Sequence, residues 1–92
     1  MWYLCRVSRW SKVLAQLRAS PHNIRFDDLC GLLVHVGFEL RTTSGSHQIY
    51  RHATRPELPL MNLQRPAGGK AKPYQVRQVL DVIDANDLEE EQ

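Results

Sequence analysis

The spacing of the apolar residues changes twice along the chain, and these changes set the order of the secondary structure. In the segment RFDDLCGLLVHVGF the apolar residues recur at positions i, i+3, i+4 and i+7, which places them on one face of a helix. The segment after Pro73 repeats this spacing. The two stripes are Phe26, Leu29, Cys30 and Leu33, then Val76, Val79, Leu80 and Ile83. Two helices therefore bracket a central region with a different period.

The central region predicts three short strands. The stretch FELRTT alternates apolar and polar residues, and HQIYRH follows it after Ser-Gly-Ser, where Gly45 suits a tight hairpin turn. The third strand is predicted in LPLMNLQ. Because Pro59 cannot donate a ladder hydrogen bond, it should lie at an edge, a strand start or a bulge.

A further short helix is predicted near the amino terminus. The segment SKVLAQLRAS places Val13, Leu14 and Leu17 on one face, with Ser11 as its N-cap, and Ser20-Pro21 ends it. The predicted order is therefore α-α-β-β-β-α. This is an α+β fold in which helices cover one face of a three-stranded antiparallel sheet.

The helix ends carry their own signals. Asp27 and Asp28 lie in the first turn of the second helix, where the helix dipole favours negative charge. Gly37 is expected to stop that helix in the left-handed region. Pro73 suits the first position of the last helix.

The length and the charge distribution narrow the class of protein. Ninety-two residues with 42% hydrophobic content predict one domain with a modest core. We expect an extension with the extra helix in residues 1–24, a core in 25–84 and an acidic tail in 85–92. All 12 Lys and Arg residues precede residue 81, whereas six of the 10 acidic residues follow residue 80. This pattern suits a protein that binds a polyanion, although a solvated surface would also produce it.

Several kinds of site are disfavoured by the sequence. Cys5 and Cys30 form no metal-ligand pattern, and the sequence predicts no metal or other cofactor. The segment RPAGGKAK has Ala71 where a phosphate-binding loop needs Ser or Thr, but its Lys70 and Lys72 are candidates for contact with nucleic-acid phosphates. Cys30 has no nearby His partner and is expected to be a core thiol.

The sequence has no apolar run as long as a membrane span. Arg6 and Arg9 interrupt the apolar amino terminus, which also lacks a signal cleavage site. The expected location is the cytoplasm, without a membrane partner.

The stretch SGSHQIYRH contains the candidate functional residue, His47. An imidazole titrates near neutral pH and can move a proton in a reaction. Cleavage of RNA requires few groups besides such an imidazole, because the 2′-hydroxyl of RNA is an internal nucleophile and nearby cations stabilise charge on the phosphate. Arg41 and Arg51 flank the turn on its two strands, so we consider them candidates for binding RNA. A surface or structural histidine is the alternative interpretation.

The strand period separates the two histidines of this stretch. His47 and His52 are five positions apart, so a regular strand places them on opposite faces. If Tyr50 packs under the helices, His47 and Arg51 share the open face. If Ile49 packs inward, His47 lies at the rim of the core side, and periodicity alone does not choose.

These motifs resemble a known family. The stretches FDDLCGLLVHVGFELRTTSGSHQIYRH and KPYQVRQVLDVID, within about Arg25–Asp84, are similar to the HicA-type toxins of bacterial type II toxin–antitoxin modules. In both, a helix ends in Gly-Phe, a strand leads to Gly-Ser-His, and an amphipathic helix closes the domain. The first helix of the present chain is additional to the minimal pattern.

The resemblance implies a fold, an activity and a partner. The fold is that of a double-stranded-RNA-binding domain, and the activity is ribosome-independent cleavage of mRNA. His47 matches the catalytic histidine, and Gly45 and Ser46 match the turn that presents it. A HicB-type antitoxin would be the protein partner. A noncatalytic RNA-binding module and a protein-interaction domain are the alternative functions.

Overall fold

The computed structural model describes residues 9–88, which form three helices and one three-stranded sheet. The elements are α1 (Arg9–Ala19), α2 (Phe26–His35), β1 (Phe38–Ser44), β2 (His47–His52), β3 (Met61–Gln64) and α3 (Pro73–Ala85). The strands lie in the order β1-β2-β3, and both neighbouring pairs are antiparallel. The predicted α+β fold and its element order are confirmed. Residues 1–8 and the acidic end at 89–92, and with them the expectations for those segments, lie outside the described residues.

The ends of α2 and α3 follow the sequence signals. Asp27 and Asp28 lie in the first turn of α2, and Gly37 follows the C-cap with φ of 110°. Such a positive φ is rarely accessible to other residues, which is why a glycine ends the helix here. Pro73 is the first residue of α3.

The start of α1 differs from the prediction. The helix already includes Arg9, so Ser11 lies inside it and is not the N-cap. The reason is a tertiary contact in the first turn. The Trp10 ring occupies the space that a side chain at Gly31 would need, and it stacks on His35 with the ring centroids 5.8 Å apart. This contact with α2 secures a turn that local sequence does not favour.

The core lies between one face of the sheet and the helices. The sheet contributes five buried residues: Phe38, Tyr50, His52, Met61 and Leu63. Tyr50 is therefore the inward residue of β2, whereas Ile49 is only half-buried on the other face. This decides between the two alternatives left by the sequence: His47, Ile49 and Arg51 share the open face.

Cys30 lies at the margin of the core rather than on the fully buried stripe of α2. Leu29, Leu32 and Leu33 fill that stripe, and Cys30 is half-buried with its Sγ 3.7 Å from Gln48 Oε1. Burial raises the pKa of the Cys30 thiol. The group is consequently a neutral thiol and not an activated nucleophile.

The third strand is shorter and later than predicted. It includes only Met61–Gln64, and Leu58 is buried in the preceding loop. Pro59 lies before the strand, because it has no N–H for the ladder. Leu60 is 59% exposed next to it.

Within residues 9–88, none of the helices has the length and apolar character needed to cross a membrane.

An ion pair joins the first and last helices. Arg18 donates two hydrogen bonds to the Asp84 carboxylate, at 2.9 and 2.7 Å, and this holds the pKa of Asp84 below its usual value. A lowered carboxyl pKa contributes stability above the unfolded pKa, and that contribution is lost as the pH falls through the folded pKa.

Asp84→Asn should therefore lower the free energy of unfolding at pH 7, by about 1 kcal/mol or less because both side chains are partly exposed. The difference from wild type should narrow as the pH falls from 7 towards 3, as measured by urea denaturation at each pH. A difference that stays constant over this range would show that the charge of Asp84 is not its source.

Candidate active site on the β1–β2 hairpin

The turn between β1 and β2 consists of Gly45 and Ser46. Gly45 has φ of 60°, and Ser44 pairs with His47 across the turn. The carbonyl of Ser46 accepts a hydrogen bond from the backbone N–H of Arg65 at 2.7 Å, just after the end of β3. The turn is thus held by the neighbouring strand as well as by its own hairpin, and His47 follows on a fixed backbone.

His47 lies exposed on the open face and has one side-chain partner among the residues that the structure describes. Its Nδ1 is 3.2 Å from Asn62 Oδ1, on β3. An amide oxygen only accepts, so Nδ1 donates and carries the ring hydrogen of the neutral imidazole. The lone pair of Nε2 then remains available to take a proton. A neutral imidazole in this tautomer can act as a general base through Nε2.

His52, at the other end of β2, has a structural role. Its Nδ1 accepts hydrogen bonds from the backbone N–H groups of Thr54 and Arg55, at 3.3 and 3.1 Å. Its Nε2 lies 3.0 Å from the Val36 carbonyl and donates to it. The ring also packs edge-on against Phe38, with centroids 5.1 Å apart. Both ring nitrogens are used inside the core, so the strand assigns different roles to its two histidines.

The four basic candidates do not converge on His47. Arg41 and Arg51 line a small pocket with Glu39, and Arg41 approaches the Glu39 carboxylate at 3.9 Å. Arg51 is four residues from His47 on an extended strand, a separation of about 13 Å.

The two lysines occupy the loop before α3. Lys70 is exposed, and its backbone forms a bridge to Arg25. Lys72 donates from Nζ to Gln64 Oε1 at 3.4 Å, and Gln64 is paired with His47 across β2 and β3. Among the four candidates, Lys72 is thereby connected to the strand position opposite His47.

Several residues around His47 were missed by sequence reasoning. A groove of about 450 Å³ runs between β3 and α3, and His47 is part of its lining with Asn62, Gln64 and Tyr74. Gln75, 2% exposed, accepts from the Gln64 backbone N–H at 3.4 Å. The sequence did contain a signal for these residues, because Asn62 and Gln64 alternate with the apolar residues of β3. On α3, polar residues recur with helical spacing at Tyr74, Gln78 and Asp81.

The described residues contain no group of three or more His, Cys, Asp and Glu side chains that could hold a metal ion. The site within residues 9–88 thus consists of an imidazole, amide side chains and a nearby ammonium group. Such a set can bind and transfer protons, and it can hold an anion next to the imidazole.

Comparison with known proteins identifies the family. A family model described as the HicA toxin of bacterial toxin–antitoxin matches residues 26–85. The match extends from α2 through the sheet to the end of α3, contains the hairpin and leaves α1 outside. Searches of curated proteins and of solved structures found no match. The matched region is well over half of the chain, and the protein therefore belongs to the HicA toxin family of bacterial toxin–antitoxin systems.

Proposed function

We propose that the protein is an endoribonuclease that cleaves mRNA, with His47 as the catalytic residue. The observation that carries this proposal is the state of the His47 side chain. It is exposed on the open face of the sheet, and its Nδ1 lies 3.2 Å from Asn62 Oδ1, an arrangement that leaves Nε2 to face the substrate. Membership of a toxin family supports the same conclusion, because cleavage of mRNA would stop protein synthesis.

The proposed reaction uses the 2′-hydroxyl of the substrate as the nucleophile. His47 Nε2 removes the proton from O2′, which attacks the adjacent phosphorus and forms a new O2′–P bond. The P–O5′ bond breaks, and the leaving oxygen receives a proton from the imidazolium or from water. The products are a 2′,3′-cyclic phosphate and a 5′-hydroxyl. No step in this sequence requires a metal ion.

The basic residues would act at different distances from the reacting phosphate. Lys72 donates a hydrogen bond to Gln64, the residue paired with His47 across β2 and β3. Its ammonium group would stabilise the additional negative charge of the transition state. Arg41 and Arg51 lie further along the hairpin, and Lys70 lies in the loop before α3. They would bind neighbouring phosphates and orient the RNA strand.

The proposed partner is a HicB-type antitoxin that covers the open face and keeps RNA away from His47. The free toxin would act in the cytoplasm, where mRNA is translated. A protein that blocks this face need not change the fold, since His47 is already exposed in the structure.

The reaction class can be tested with a pair of substrates. The purified protein, free of antitoxin and in the presence of EDTA, should cleave a short single-stranded RNA and leave a 2′,3′-cyclic phosphate. The same RNA with one 2′-deoxynucleotide at the cleaved position should remain intact at that bond. Mass spectrometry identifies both products. Absence of cleavage in the unmodified RNA would overturn the proposal, and cleavage of the deoxy bond would overturn the mechanism.

A further inference from the structure

The groove between β3 and α3 has a composition that differs from a phosphate-binding surface. Asn62, Gln64 and Gln78 contribute amide groups, Tyr74 contributes a half-exposed ring, and Asp81 contributes the carboxylate. No Lys or Arg of residues 9–88 is part of the lining. A phosphate would meet a carboxylate there without a compensating cation, so the groove favours a neutral ligand.

The lining favours a flat ligand with several hydrogen-bonding groups. Tyr74 is 51% exposed, and Leu60, 59% exposed, also lines the groove. An exposed aromatic ring is a common platform for an unstacked nucleobase. The amide side chains both donate and accept, which suits the edges of bases. A volume of about 450 Å³ leaves room for one base and part of its ribose.

A buried glutamine holds the two walls of the groove together. Gln75 accepts from the backbone N–H of Gln64 on β3 and donates from Nε2 to the Tyr74 hydroxyl at 3.5 Å. The Gln75 side chain therefore links β3 to α3. The Tyr74 hydroxyl and the backbone of β3 at Gln64 are thus linked before any ligand arrives, which reduces the entropy lost on binding.

We propose that this groove binds a nucleobase of the substrate RNA, next to the phosphate that His47 acts on. The inference rests on the proposed function, because it takes the ligand to be part of an RNA substrate. His47 belongs to the lining, so the base site and the reaction site are continuous. Lys72 lies outside the lining and is bonded to Gln64, which leaves a positive group for the phosphate at the His47 end. The base that enters the groove would position the chain for cleavage.

The proposal can be tested without any reaction, because free nucleosides cannot be cleaved. Adenosine, guanosine, cytidine and uridine are titrated separately into isotope-labelled full-length protein, and ribose 5-phosphate serves as the probe without a base. At least one nucleoside should shift the NMR signals of Tyr74 and of the Gln78 side-chain amide. Ribose 5-phosphate should leave both signals in place. The inference is overturned if no nucleoside shifts them, or if ribose 5-phosphate shifts them equally.

Variants at the aromatic ring make the test specific. Tyr74→Ala should weaken nucleoside binding by about tenfold, the effect of losing one base–aromatic stack. Tyr74→Phe keeps the ring and loses only the hydrogen bond from Gln75, so its affinity should fall much less than that of Tyr74→Ala. Val34→Ala, an exposed apolar residue outside the groove, is the matched control and should change nothing. Equal binding by wild type and Tyr74→Ala would overturn the groove as the site.

The outcomes also separate this inference from the proposed function. Nucleoside binding in the groove without cleavage of RNA would support the base site and overturn the catalytic role. Cleavage of RNA without nucleoside binding in the groove would overturn the base site alone.

Discussion

His47→Ala is expected to slow RNA cleavage by about 10² to 10⁴-fold, the range typical for loss of a general acid–base group. The substitution removes the only group that the proposed mechanism uses to accept the proton from O2′. The side chain is exposed, and Asn62, its one side-chain partner within residues 9–88, is exposed too, so the fold should not depend on it. Single-turnover cleavage of a labelled RNA, with enzyme in excess, measures the chemical step directly.

A second surface histidine provides the matched control for this variant. His22 lies exposed in the connection between α1 and α2 and is not part of the groove that His47 lines. His22→Ala should cleave RNA at the wild-type rate, and thermal unfolding of both variants should match wild type. If His47→Ala cleaves as fast as His22→Ala, His47 is not the catalytic residue. If neither variant nor wild type cleaves, the chain is not a nuclease.

Gly37→Ala is expected to lower the free energy of unfolding by about 3 kcal/mol or more. Two costs combine at this position. The φ of 110° is strained for any residue with a Cβ, and an added Cβ would approach His52 Nε2 to 2.5 Å. That nitrogen is the donor to the Val36 carbonyl, so the ring cannot move without breaking a buried hydrogen bond.

Two other glycines separate these costs. Gly45 has φ of 60° but no atom within 4 Å of an added Cβ, so Gly45→Ala should show the backbone cost alone, about 1 kcal/mol. Gly68 has neither a positive φ nor a close neighbour, and Gly68→Ala should be close to neutral. Urea denaturation measures the free energies, and the melting temperature of Gly37→Ala should fall by more than about 10 °C. Similar losses at Gly37 and Gly45 would mean that the contact with His52 adds nothing.

The sequence predicts the architecture because its signals are local. The helical stripes, the glycine after α2 and the proline at the start of α3 each act within one or two turns, and the structure has all of them. The helical conformation of the residues before Ser11 could not be predicted, because it depends on Trp10 packing against Gly31 of another helix. The inward residue of β2 also depends on long-range packing. Alternation defines two faces but does not say which one the helices cover.

The candidate site is predictable to a smaller extent. His47 and its turn form a contiguous motif, and the sequence therefore singles them out. The surroundings depend on strand register, which places Gln64 opposite His47 and Asn62 within reach of its ring. Arg41 and Arg51 seemed close because they flank the turn in sequence. The extended strands carry them away from it, and a register shift between Leu40 and Thr42 moves Arg41 out of the regular alternation.

The two histidines of β2 restrict the length of the chain between them. His47 and His52 face opposite sides of the sheet because an odd number of positions separates them. Loss or gain of one residue would turn both imidazoles to the same side. Either His52 would leave its backbone partners or His47 would enter the core. Insertion or deletion of one residue would therefore destabilise the fold or remove His47 from the candidate site. Length changes in this strand should therefore come in pairs, or be absorbed by a bulge of the kind that β1 already has.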